Sequence, residues 1–140
     1  AIRRLSEAGI PVGVMMAPVI PGLNDSEIPA VLSAAAAAGA RFAGYTFLRL
    51  PHGVKDLFEE WLRAQFPNRA DKVLGRLRES RGGKLNDLRF GSRMRGEGVW
   101  ADQVGRLFKV ARRKAGLDAP APALSAASFR RPGLVQATLF

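Results

Sequence analysis

Residues 1–50 alternate between helix-forming segments and nearly continuous apolar runs. This pattern predicts the order helix, strand, helix, strand. Residues 10–20 are almost continuously apolar and rich in β-branched side chains, which is typical of a parallel strand buried on both faces. Residues 40–50 contain a second apolar run, residues 42–48, which predicts a second strand. A helix capped by Asp25 or Ser26 separates the two strands. The pattern therefore predicts two parallel βα units of an α/β fold.

Helical periodicity replaces this pattern in the second part of the chain. Apolar side chains recur at helical spacing in residues 54–62 and 70–80, and a third helix is predicted over residues 98–115. A glycine-rich loop, residues 81–97, joins the second of these helices to the third. The chain therefore divides into the last βα units of a sheet in residues 1–52, a basic helical region in 53–118, and an Ala/Pro-rich linker and tail in 119–140.

Basic residues are concentrated in the second half of the chain. The 140 residues include 22 Lys and Arg against 12 Asp and Glu, which gives a formal net charge of +10. Residues 1–50 contribute only +1 of this charge, whereas residues 51–118 contribute +7 and the remainder +2. Such a distribution is typical of a protein that binds a polyanion, most often nucleic acid, although a solvated basic surface has the same composition.

The absence of cysteine excludes several kinds of site from this chain. Disulfides, a thiolate nucleophile, a zinc ribbon and iron–sulfur ligation all require cysteine, and the single histidine, His52, cannot form a multi-histidine metal site. No apolar run reaches the ~20 residues of a membrane-spanning helix. Because a signal-peptide pattern is also missing, the sequence predicts a cytoplasmic protein.

Two features of the N-terminal region predict that the natural protein extends upstream. The first residue is alanine, and residues 1–9 have the pattern of a helix that ends at Gly9 but has no N-cap residue before it. A sheet of two parallel strands also exposes both of its edges unless further strands pair with them. We therefore expect that the partner of these residues is an N-terminal half of the same protein, with additional βα units.

Both predicted strands are followed by loops of the kind that bind ligands in βα folds, because such loops converge at the carboxyl ends of parallel strands. The loop of residues 18–25 offers Asn24 and Asp25 as hydrogen-bonding side chains, and the loop after the second strand contains Arg49 and His52. The alternative for residues 18–25 is a plain βα turn with a capping residue. The alternative for His52 is a surface or structural role.

The loop of residues 81–96 combines glycine with basic side chains. Glycines allow a phosphate to reach backbone N–H groups, and arginines make bidentate phosphate contacts. Phe90 could stack on a base or anchor the loop. The alternative is a structural loop held by Arg–carboxylate pairs. The residues that we predict to bind substrate or phosphate are Arg49, His52, Arg81, Lys84, Arg89, Arg93 and Arg95.

Several segments resemble a known enzyme family. Residues 9–25, with the sequence GIPVGVMMAPVIPGLND, look like a late βα unit of the radical S-adenosylmethionine (SAM) proteins, and more narrowly of the group related to spore photoproduct lyase (DNA repair photolyase-like). Residues 48–52, 55–58, 81–84 and 89–96 are similar to the C-terminal region of that group. The resemblance covers nearly the whole chain, and RFGSRMRG at residues 89–96 is a specific motif.

The resemblance implies the C-terminal portion of a partial (β/α) barrel that binds a 4Fe-4S cluster and SAM. In that family three cysteines hold the cluster, and electron transfer to SAM yields a 5′-deoxyadenosyl radical that abstracts hydrogen from the substrate. This chain lacks cysteine and the early glycine-rich strands, so the resemblance implies the C-terminal part of such an enzyme, inactive alone. The positions that match the SAM-binding region are Val19, Ile20, Asn24, Leu50 and Pro51.

The last residues of the chain resemble a different motif. Gln136, Leu139 and Phe140 have the spacing of the short peptide by which bacterial repair proteins dock on the replicative sliding clamp. The alternative is a tail that packs on its own domain. Two functions therefore stay open from the sequence. The first is the C-terminal part of a radical SAM enzyme that acts on a substrate such as nucleic acid, and the second is a noncatalytic basic module that binds nucleic acid and docks on the clamp.

Overall fold

The structure, a computed structural model, describes residues 1–86, 89 and 91–130. Within these residues the chain forms a mixed α/β structure with two strands and five α-helices, which confirms the predicted α/β class. The elements in chain order are α1 (Ile2–Glu7), β1 (Gly13–Val19), a 3-10 turn (Asp25–Glu27), α2 (Ile28–Ala37), β2 (Phe42–Phe47), α3 (Val54–Gln65), α4 (Pro67–Glu79) and α5 (Gly98–Lys114).

The two strands lie side by side and run parallel. Gly13 pairs with Phe42 at one end of the sheet, and Val19 pairs with Phe47 at the other. The register shifts just before Val19, in the stretch that contains Pro18, which has no N–H to donate to the ladder. The segment that contains α2 provides the long connection that a parallel pair requires. The predicted pair of parallel βα units is therefore confirmed.

Within the described residues, helices cover one face of this sheet and leave the other exposed. Tyr45 on the covered face packs against Phe108 of α5 with 4.7 Å between ring centroids, and its register partner Met16 is buried in the core. On the opposite face, Met15 is 64% exposed. The prediction that β1 is buried on both faces is wrong for the described residues. The reason is that α2 and α5 pack against each other and on the same side of the sheet.

The two edges of the sheet also differ. At the outer edge of β2, the Phe47 N–H donates to the Met94 carbonyl at 2.8 Å, and Phe42 forms an isolated antiparallel bridge with Asp118. At the outer edge of β1, no strand from the described part of the chain is paired. The β1 edge therefore presents backbone N–H and C=O groups with which another strand can pair.

The start of α2 differs from the prediction. Asp25 and Ser26 form the 3-10 turn together with Glu27, and α2 begins only at Ile28. No side-chain hydrogen bond caps the turn or the helix, so the predicted capping role of Asp25 or Ser26 is wrong. The Asp25 carboxylate instead lies 3.9 Å from the guanidinium of Arg76 on α4. The charge of Asp25 thus links the loop after β1 to the helical region.

The helical region consists of the α3–α4 hairpin and α5. Leu62 of α3 is buried. α4 begins at Pro67, earlier than the predicted residue 70, because the first turn of a helix tolerates a residue without an N–H. α5 packs on α2 and β2, and Val104 and Phe108 are buried there, as their spacing predicts. None of the helices in the part of the chain that the structure describes is long and apolar enough to cross a membrane.

Candidate functional site

Asn24 organises the loop that follows β1. Its Oδ1 accepts a hydrogen bond from the Ile20 N–H at 2.7 Å, and its Nδ2 donates to the Pro18 carbonyl at 3.1 Å. The Ile20 carbonyl accepts hydrogen bonds from the N–H groups of Leu23 and Asn24. Gly22 has a φ of +86°, a conformation that favours glycine. The amide of Asn24 therefore closes a βα turn, and only its remaining hydrogen-bonding capacity is available to a ligand.

The other positions that match the SAM-binding region are mostly apolar core residues. Val19, Ile20 and Leu50 are buried among the side chains of the hydrophobic cluster. Pro51 is half-buried just beyond the end of β2. A ligand at the strand ends would therefore meet backbone atoms of these residues, or the partly exposed Pro51, rather than the buried side chains.

Arg49 and His52 follow β2 and lie beyond the carboxyl end of that strand. The Arg49 side chain is half-buried, and its Nη1 lies 3.7 Å from the sulfur of Met94. Its Nε is buried, and the described residues provide no hydrogen-bond partner for it. His52 is exposed and has a φ of 49°, the left-handed conformation. Arg49 therefore retains a hydrogen-bond donor that no described residue uses, and the imidazole of His52 is accessible.

Arg81, the first basic residue of the glycine-rich loop, is a structural residue in this conformation. The residue is 3% exposed, and its Nη2 donates to the Leu48 carbonyl at 2.6 Å. Its Nη1 contacts the carbonyl oxygens of Ser92 at 3.2 Å and Arg93 at 2.9 Å. These bonds fasten the end of β2 to residues 92 and 93. A phosphate could reach this guanidinium only if those contacts opened, so the geometry does not support its predicted role.

The remaining predicted phosphate ligands of the loop are in different environments. Arg89 forms an exposed ion pair with Glu97 at 3.0 Å, which is the Arg–carboxylate pairing of the structural alternative. Lys84 and Arg95 are exposed, whereas Arg93 is half-buried. Phosphate binding by these side chains stays a prediction, and of the four, only Arg95 lines a described cleft together with other cations.

That cleft has a volume of about 350 Å³ and lies between β2, the loop and α5. It was missed by the sequence reasoning, although residues 102, 106 and 109 have the spacing of one helix face. We name it the Tyr45 cleft. Its lining residues are Tyr45, Arg95, Gly96, Ala101, Asp102, Gly105, Arg106 and Lys109.

The Tyr45 hydroxyl is the neutral polar group of this cleft. Burial raises the pKa of this hydroxyl above its ordinary value, the positive charge of Arg95 lowers it, and the negative charge of Asp102 raises it. The net pKa shift is upward from a value that already lies well above neutral pH, so the hydroxyl is protonated and can donate a hydrogen bond. The cleft therefore combines a neutral donor with three cationic side chains and one carboxylate.

A second cleft, of about 530 Å³, lies between the 3-10 turn and α5. The Arg76 guanidinium carbon is 3.8 Å from the centroid of the Trp100 ring, which is the geometry of a cation–π contact. The same guanidinium lies 3.9 Å from Asp25. Val104 and Leu107 contribute apolar surface to the wall of this cleft. Asp25 and Arg76 therefore already interact with each other, whereas Arg106, which lines this cleft as well as the Tyr45 cleft, forms no ion pair with a described residue.

The described residues contain no group of three or more His, Cys, Asp or Glu side chains that could hold a metal ion. Gln136, Leu139 and Phe140, the predicted clamp-docking residues, lie outside the described residues, as does Phe90.

No protein-family pattern, no curated protein and no solved structure matches this chain. The resemblance to radical SAM proteins therefore stays a hypothesis that rests on the motifs themselves.

Proposed function

We propose that this chain is the C-terminal part of a radical SAM enzyme of the group related to spore photoproduct lyase. The observation that carries the proposal is the parallel β1–β2 pair, whose β1 edge is unpaired and one of whose faces is uncovered by any described residue. A partial (β/α) barrel supplies what this sheet lacks, because further parallel strands pair with the edge and the barrel encloses the uncovered face. The cytoplasm is the compartment in which we expect the enzyme.

The iron–sulfur cluster does not fit the residues of this chain. Such a cluster is held by cysteine thiolates, and the chain contains no cysteine. The described part of the chain also offers no cluster of alternative metal ligands. Cluster ligation in the proposed enzyme therefore belongs to its N-terminal half.

The five positions assigned to SAM divide into two roles. Asn24 is a positioning residue, because its bonds to Ile20 and Pro18 hold the loop after β1 in one conformation. Val19 and Leu50 form the apolar core beneath the strand ends. In the proposed enzyme this chain thus supplies backbone atoms and the partly exposed Pro51 to the SAM site, on a rigid apolar support.

Arg49 and His52 are the side chains that we assign to the substrate. Both follow the carboxyl end of β2, where ligand sites lie in parallel βα folds. The Arg49 side chain is half-buried and positively charged, so an anionic substrate group would pair with its exposed part, whereas its buried Nε would become reachable only if neighbouring groups moved. Substrate binding at Arg49 is therefore part of the proposal.

A second function, a noncatalytic basic module that binds nucleic acid, is favoured by a separate observation. Arg95, Arg106 and Lys109 come from two segments of the chain and line one cleft. A groove with several cations is the usual means by which proteins follow a phosphate backbone. Docking of Gln136, Leu139 and Phe140 on the sliding clamp would accompany this function.

The experiment that separates the two functions is the isolation of the native gene product from its source cells without oxygen. We expect an intact mass of about twice 15.1 kDa or more, bound iron, and cleavage of SAM to 5′-deoxyadenosine when a reductant is added. The same preparation without reductant is the control for nonenzymatic SAM breakdown. A native product of 15.1 kDa that binds no iron would overturn the proposal and leave the basic module.

A further inference from the structure

The Tyr45 cleft gathers positive charge from segments that are distant in the sequence. Arg95 comes from the loop after α4, whereas Arg106 and Lys109 lie one turn apart on α5. Among the described residues, no carboxylate forms an ion pair with any of these three side chains. Asp102 is the single acidic residue of the lining. The lining therefore has a formal charge of +2, which favours an anionic occupant.

The wall opposite α5 adds a group suited to the same occupant. The Tyr45 ring is fixed by its contact with Phe108, so the direction of its hydroxyl group is set by the packing of the core. A tyrosine hydroxyl is protonated at neutral pH, and burial raises its pKa further. A neutral donor next to cations complements an anion with several acceptor oxygens, such as a phosphate group. A carboxylate, with only two oxygens, would use fewer of these donors.

A glycine inside α5 leaves space in the cleft. Glycine is unfavourable within a helix, since it costs more backbone entropy than alanine does. At Gly105 a Cβ atom would lie 3.2 Å from the Tyr45 hydroxyl oxygen, closer than ordinary contact. The absence of a side chain therefore keeps the hydroxyl accessible from the cleft.

We propose that the Tyr45 cleft is a phosphate-binding site, in which Arg95, Arg106 and Lys109 bind the phosphate oxygens and Tyr45 donates a hydrogen bond to them. The phosphate group belongs either to a nucleic-acid strand or to a small phosphate compound. This site goes beyond the proposed radical SAM function, because binding here needs neither the cluster nor SAM. Its nucleic-acid arm deepens the second proposed function, the basic module, and rests on it. Only Arg95 of these residues has a sequence motif that predicts phosphate binding.

The test measures binding of two probes to the full-length protein: a fluorescein-labelled single-stranded oligonucleotide, followed by anisotropy, and inorganic phosphate, followed by calorimetry. The cleft variants are Arg106→Gln and Lys109→Gln. Their matched controls are Arg113→Gln and Lys114→Gln, which remove the same charges from exposed positions at the end of the same helix. We expect each cleft variant to weaken binding about tenfold and to lower the salt slope by about 1. Each control should change affinity less than about twofold.

Two further variants distinguish a built site from a general basic surface. Tyr45→Phe keeps the ring packing but removes the hydroxyl, and we expect about threefold weaker binding. Gly105→Ala raises helix propensity while it adds a methyl group beside the hydroxyl, and we expect weaker binding without a loss of folding. A general basic surface would not respond to either of these uncharged substitutions.

The outcomes assign the source of the phosphate as well as the site. If the protein binds the oligonucleotide and the cleft variants weaken that binding, the occupant is a nucleic-acid strand. If the protein binds inorganic phosphate but not the oligonucleotide, and the cleft variants weaken phosphate binding, the occupant is a small phosphate compound. Cleft variants that behave like their controls, or no binding of either probe by a folded protein, would overturn the proposal. Neither result depends on iron or SAM cleavage, so failure of this site and failure of the radical SAM assignment are distinguishable.

Discussion

Replacing Arg81 with methionine tests whether this residue holds the structure together or binds a ligand. Methionine keeps much of the length and apolar volume of the side chain but removes every donor. The substitution therefore leaves the carbonyl oxygens of Leu48, Ser92 and Arg93 without the bonds at 2.6, 3.2 and 2.9 Å that the guanidinium supplies. The exposed Arg78, on α4, provides the matched control as Arg78→Met.

The expected loss of stability follows from the burial of these carbonyls. The Leu48 carbonyl is buried, and an unsatisfied buried acceptor costs about 1–3 kcal/mol. The carbonyls of Ser92 and Arg93 are only part-buried, so water replaces some of the lost interaction and each costs about 1 kcal/mol. Methionine avoids the desolvation cost of a buried guanidinium, and this offsets part of the total. We therefore expect Arg81→Met to lower the free energy of unfolding by about 2–4 kcal/mol.

Urea unfolding measures this loss directly. With a slope of about 1.5 kcal/mol per M, the midpoint should fall by about 1–3 M for Arg81→Met and change little for Arg78→Met. Hydrogen exchange at the Phe47 amide, which bonds to the Met94 carbonyl, should accelerate because the loop is released from β2. A midpoint shift equal to that of the control would refute the structural role. Loss of oligonucleotide binding with unchanged stability would instead restore the predicted role in phosphate binding.

Two further predictions concern the loop after β1 and the Tyr45 cleft. Asn24→Ala removes the hydrogen bonds to the Ile20 N–H and the Pro18 carbonyl. It should lower the free energy of unfolding, measured by urea unfolding, by about 1–2 kcal/mol. An unchanged urea midpoint would show that the loop does not depend on this amide. Because the pKa of Tyr45 is raised in the folded state, its contribution to stability is present below its unfolded pKa of about 10 and is lost as pH rises through the folded pKa. The melting temperature should therefore fall more steeply above about pH 10 in the native protein than in Tyr45→Phe, and parallel pH profiles would contradict this reasoning.

The sequence by itself determined the elements and their order. The apolar runs specified the two strands, because the β-branched residues near β1 and the aromatic residues of β2 suit a pleated backbone. The helical spacing of Val104 and Phe108 placed α5 and its buried face within a residue or so of the observed bounds. These properties depend on neighbouring residues along the chain, and local patterns are therefore sufficient to predict them.

The loop after β1 was only partly predictable. Its turn chemistry and its position after a parallel strand followed from Gly22 and Asn24. The sequence did not predict that Asp25 fails to cap α2. That carboxylate instead lies near Arg76 of α4, a partner that is remote in the sequence. Capping and long-range ion pairing compete for the same oxygen atoms, and only the packing of α4 decides between them.

Tertiary structure alone decided which surfaces are covered and which cations meet. β1 has the composition of a strand buried on both faces, yet Met15 is exposed because no helix of the described part covers that face. Arg81 and Arg95 belong to one basic loop, but the first bonds to backbone carbonyls and the second lines the Tyr45 cleft with residues of α5. Burial and electrostatic partners depend on how distant segments pack, and separation along the chain does not specify that packing. Two arginines of one loop therefore have different environments: Arg81 holds backbone carbonyls, and Arg95 lines a cleft.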